Sequence, residues 1–116
     1  MSGTHYPSYR KQLIGGLAAM RADAPDVMTA FNELHRASLA DGSLSTATKE
    51  LIALAIGVAA RCEGCIAFHV SAALRAGATR EQIVEALGVA VMMGGGPATM
   101  YAAEAFAALE QYERAS

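Results

Sequence analysis

The chain has 116 residues, of which 53% are hydrophobic and 17% charged, with a formal net charge of −2. One domain of this length can bury its own core, and nine basic residues without a cluster among them exclude nucleic acid as the natural partner. So apolar a composition leaves surface that one small chain cannot cover, which points to contacts between subunits.

No alternating apolar and polar run of strand type occurs, and alanine, leucine and methionine dominate. The expected class is therefore all-α, a bundle of about six helices in one domain spanning residues 1–116. Met1 to Pro7 reads as a loose arm without the apolar centre of a signal peptide, which favours a cytoplasmic protein. A first helix is expected from Ser8 to Arg21, with Leu13, Ile14, Leu17 and Met20 on one side. Asp23 suits the N-cap of a second helix and Pro25 its first turn, with Val27, Phe31 and Leu34 facing inward. His35 reads as an ordinary, partly exposed residue of that helix. Asp41-Gly42-Ser43 closes it, and Ser45 can cap a third.

From Leu51 to Ala60 the third helix is apolar all round, so it should be central and covered on every side. Glu50 then stands out, because its face continues through Ala47, Leu54, Gly57 and Val58. A fourth helix should start near Cys62 and end at Gly77, a left-handed cap. Thr79-Arg80-Glu81-Gln82 fits a capping box for a fifth. Gly94-Gly95-Gly96 should turn the chain, and Pro97 should open a sixth helix through about Tyr112. Ala86 to Ala103 carries no charge, yet the Gly-Pro turn cuts it into pieces too short to span a membrane.

The stretch Cys62-Glu63-Gly64-Cys65-Ile66-Ala67-Phe68-His69 holds both cysteines and one of three histidines. On a helix, at about 100° per residue, Cys62, Cys65 and His69 fall within roughly 60° of one another. Cysteines at i and i+3 stand about 5 Å apart at Cα, inside the window for a disulfide. His69 lies one turn beyond Cys65, within reach of its sulfur. A thiol needs a base or a positive field to become a thiolate, and the helix start and His69 offer both. Cys65 is nearer His69, which favours it as the attacking thiol. Cys62 is nearer the helix end, which favours it as the sulfur a reductant meets. If the third and fourth helices form a hairpin, Glu50 lies about 15 Å and His69 about 10 Å from the turn. The two would miss by about one turn, a gap that a water or a tilted crossing could bridge.

Competing readings are two unconnected core cysteines and a zinc site. Zinc would find three ligands here, with no second pair to close a tetrahedron. No cofactor motif is present; the glycine run lacks the preceding strand and following lysine of a phosphate loop.

Glu50, eleven intervening residues, Cys62-x-x-Cys65, three more and His69 form a specific pattern on an all-helical chain. It resembles the AhpD-like alkylhydroperoxidase core of the carboxymuconolactone decarboxylase family, best over residues 46–101. The resemblance implies a compact helical fold assembled as trimers or hexamers. It implies a redox pair in Cys62 and Cys65 and a proton relay in Glu50 and His69. The implied partners are a small hydroperoxide and a dithiol reductant, lipoyl-bearing or thioredoxin-like. At position 64, where the well-studied enzymes carry histidine, this chain has Gly64. Other classes of function compatible with the residues are a decarboxylase-like enzyme using Glu50 and His69, and a non-catalytic oligomer that senses redox state or binds a metal.

Overall fold

A computed structural model describes residues 3–115. Among them there are five helical elements and no strand: α1 (Tyr6–Asp23), α2 (Pro25–Leu39), α3 (Thr46–Ala59), α4 (Glu63–Arg75) and α5 (Arg80–Ala115). The core is made where α3, α4 and α5 pack on one another, around buried Leu54, Val58, Ile66, Val70, Ile83 and Leu109. Each such side chain contributes about 1.5–3 kcal/mol on burial. Alanines 67, 73, 90, 98, 102, 105 and 108 fill the contacts between these helices, so their axes can run close.

The expected fifth and sixth helices form one element that doubles back on itself. A straight helix of 36 residues would be about 54 Å long, whereas the longest dimension of the molecule is 38 Å. Gly95 makes the reversal, with φ 71° and ψ −148°, a backbone conformation that side chains resist. Arg80, at one end, pairs with Glu113 and lies over the Phe106 ring at the other. By length and apolarity this element could cross a bilayer, but its break at Gly95 and its buried packing against α3 and α4 belong to a folded core.

Several termini follow the local chemistry. Ser45 accepts the Thr48 N–H and starts α3. Thr79 and Gln82 exchange hydrogen bonds as a capping box, and Gly77, at φ 98°, ends α4. Asp23, expected as the cap of α2, is instead the last residue of α1; Ala24 occupies the cap position and only Pro25 marks the start.

The packing corrects three expectations. α2 leans on α1 and touches α3 only lightly, so it has just one covered side. Met28 is buried there, while Val27, Leu34 and Phe31, the last 53% exposed, face outward. α3 is not covered all round, because Ile52 and Ile56 remain exposed, the latter by 63%. The amino-terminal arm is not loose over its described part, Met1 and Ser2 lying outside the described residues. α1 begins at Tyr6, which is fully buried, and its main chain is tied to Gln111 at 2.8 Å.

Burial first, then the carboxylates of Glu104 and Glu63, push the Tyr6 phenol above its ordinary value of 10.0. The unfolded chain loses that proton near pH 10 while the folded chain keeps it. Stability from this group is therefore complete below about pH 10 and declines above it, by about 1.4 kcal/mol per pH unit. Urea midpoints measured between pH 9 and 11 should fall more steeply in the wild type than in Tyr6→Phe, and equal slopes would refute this account.

Candidate active site

α3 and α4 form a hairpin joined by Ala60, Arg61 and Cys62. Its tight turn carries Arg61 at φ 59°, with the Arg61 N–H donating to the Val58 carbonyl and the Cys62 N–H to the Gly57 carbonyl. Cys62 becomes the N-cap of α4, its sulfur accepting the Cys65 N–H at 3.1 Å. Cys62 and Cys65 are joined as a disulfide with Cα atoms 5.2 Å apart, as the spacing predicts. Their sulfurs thus lie in the first turn of α4, where free N–H groups and the helix dipole favour a thiolate on reduction.

Two contacts set the depth of the site. A Cβ on Gly57 would stand 2.7 Å from the Cys65 Cβ, so only glycine admits α4 this closely. Two turns earlier on α3, Glu50 reaches His69, its Oε1 lying 2.7 Å from Nδ1. The expected gap between these groups is closed by the side chains themselves, without an intervening water. Glu50 is 5% exposed on the stripe that also buries Leu54, Gly57 and Val58. A carboxylate so placed is costly unless paired, and His69 is its partner. With Nδ1–H donating to the carboxylate, Nε2 carries the lone pair and becomes the basic nitrogen.

The structure adds groups that the sequence pattern did not single out. The His35 ring of α2 lies nearly parallel to His69, centroids 6.1 Å apart and planes at 15°, and Phe31 follows at 6.3 Å. A histidine with no ligand at i±4 gave no signal; the partner is on another helix. On the other side of α4, Glu63 meets Thr4 and Tyr6, whose hydroxyl also reaches Glu104. Leu13 of α1 covers Gly64, its Cδ1 standing 3.3 Å from where a Cβ would be. Among the described residues no group of three His, Cys, Asp or Glu side chains is arranged to hold a metal ion.

The carboxymuconolactone decarboxylase family pattern matches residues 25–108, which include all four residues of the disulfide and the Glu50–His69 pair. The chain belongs to the carboxymuconolactone decarboxylase family. An uncharacterized protein of Cupriavidus necator is 51% identical over 83 residues, 72% of this chain and 74% of that one. A family protein of Legionella pneumophila, solved in its apo form, superposes with a TM-score of 0.89 at 46% identity, covering 94% of this chain and 98% of its own. A Thermotoga maritima family protein, whose name carries a suggested involvement in antioxidative response, has a TM-score of 0.72 at 27% identity over 85% and 91% of the two chains.

Because family membership and site geometry meet at the α3–α4 contact, Gly57 is a sensitive position. Gly57→Ala should destabilise the protein by about 1–3 kcal/mol, the usual penalty for overpacking. Thermal unfolding checks this, and an unchanged midpoint would mean that α4 can shift without cost.

Proposed function

We propose that this protein is a thiol-dependent hydroperoxidase, in which Cys62 and Cys65 cycle between dithiol and disulfide with Glu50 and His69 as proton relay. The observation that carries this reading is the disulfide at the start of α4 with the Glu50–His69 hydrogen bond one turn behind it. The antioxidative association of the Thermotoga maritima relative points the same way.

In the reduced enzyme, His69 Nε2 takes the Cys65 thiol proton while Glu50 stabilises the imidazolium. The thiolate attacks the peroxide oxygen; a sulfur–oxygen bond forms as the oxygen–oxygen bond breaks. The departing alkoxide takes the proton from His69 and leaves as an alcohol. Cys62 then attacks the sulfenic sulfur, and the hydroxide lost leaves as water with the Cys62 thiol proton. A dithiol, lipoyl-bearing or thioredoxin-like, attacks the Cys62 sulfur and becomes a disulfide as both cysteines are reduced. Such a cycle suits a cytoplasmic protein, where a paired CxxC is catalytic.

Peroxide consumption with a dithiol should disappear in Cys62→Ser and in Cys65→Ser. Glu50→Gln, folded to the same helical content, should lose about 10²-fold or more, the usual share of acid–base assistance. Full activity in Glu50→Gln would sink the relay.

We also propose that the working form is a homotrimer or homohexamer. Phe31, Leu34, Ile56, Met92, Met100 and Met93, the last 73% exposed, lie on faces left open among the described residues. Closed symmetry buries such surface without leaving a sticky patch. Light scattering at micromolar concentration should give a particle of three or six chains, and a monodisperse one near 12.0 kDa would refute the oligomer.

A further inference from the structure

α4 presents two different sides to its neighbours. Cys65 and His69 meet α3, through Gly57 and Glu50 respectively. Glu63, the sole charged residue between the cysteines, lies about 200° around the helix from Cys65. There the Thr4 hydroxyl donates to Glu63 Oε2 at 3.0 Å and the Tyr6 hydroxyl reaches the same oxygen at 3.3 Å. Tyr6 shares its one phenolic proton between that oxygen and Glu104 Oε1 of α5, which lies at 2.8 Å. Burial and these carboxylates keep its phenol protonated, so it remains a donor.

The two acidic groups at this helix start compete. A carboxylate in the first turn draws on the same N–H dipoles that favour a thiolate at the N-cap, and its charge opposes a second negative charge beside it. Cys62 is that N-cap. A Glu63 side chain free to swing would therefore make the Cys62 thiolate harder to form.

We propose that Thr4 and Tyr6 are positioning residues for the redox pair, their hydroxyls holding the Glu63 carboxylate on the α1–α5 side of α4 so that its charge opposes the Cys62 thiolate least. Both precede the segment that matches the family pattern, which begins at residue 25. The two hydroxyls thus lie outside the segment that the family pattern describes. It rests on the reading of Cys62 as a thiol that reacts in its ionised form.

The test uses Cys65→Ser, which leaves one thiol, and its alkylation by iodoacetamide at pH 7. Adding Thr4→Val or Tyr6→Phe should slow alkylation about two- to fivefold, the size of a charge effect at a helix end. Adding Glu63→Gln should speed it by a similar factor. With Glu63→Gln already present, Thr4→Val should have no further effect, because its target charge is gone. Thr4→Val provides the answer if Tyr6→Phe fails to fold. Slowing by Thr4→Val that persists without Glu63, or no change in any variant, overturns the proposal. If Cys62 in the starting variant reacts no faster than free cysteine, the thiolate reading itself falls, and the proposal with it.

Discussion

The direct packing of α3 on α4 is the constraint on which the rest of the site depends. At Gly57 the helices come so close that a methyl group would collide with Cys65. Two turns away, the same approach lets a buried carboxylate reach an imidazole at 2.7 Å. Removing either partner would leave the other polar group without its hydrogen bond, a loss of about 1–3 kcal/mol for a buried polar group. Packing and chemistry are therefore not separable here. The contact that fixes the hydrogen-bonding nitrogen of His69 is also the one that ties α4 to α3 one turn beyond Cys65.

α4 is held from its other sides as well. Tyr112 of α5 donates to the Ala67 carbonyl at 2.6 Å, and Thr4 and Tyr6 meet Glu63 in the first turn. α5 can serve in this way only because Gly95 folds it back, bringing Glu104 and Tyr112 over α4 while Arg80 pairs with Glu113. A helix gripped on several sides holds the disulfide of its first turn in a fixed frame. The outer surfaces of α2 and of the α5 turn have no such partners among the described residues, and their exposed apolar side chains form a second population.

The four residues of the candidate site could be grouped from the sequence because their relations are local or nearly so. Cys62, Cys65 and His69 share one helix at spacings of three and four, and Glu50 stands on the neighbouring arm of a hairpin. The all-helical class followed from composition, and Ser45, Gln82 and Gly77 marked helix ends by their own hydrogen-bonding chemistry. What escaped was non-local. Tyr6 meets residues 57 and 98 positions away, so an amino-terminal segment that looked unattached is anchored in the core. His35 gained its partner from a different helix. The apolar stripe of α2 was correctly periodic, but periodicity says only that a face needs covering. It does not say that the same chain will cover it.

The turn between α3 and α4 shows how local strain serves this arrangement. Arg61 adopts a left-handed conformation at φ 59°, which costs a residue with a side chain about 1–2 kcal/mol. The gain is register. That conformation turns the Cys62 N–H back onto the Gly57 carbonyl at 2.9 Å, ending α3 and placing Cys62 at the cap of α4 in a three-residue connection. A longer or looser loop would relieve Arg61 but free Cys62 from α3. Gly57 then acts on both cysteines at once: its carbonyl anchors the main chain of Cys62, and its missing Cβ makes room for Cys65. The disulfide is closed between two residues that one glycine positions.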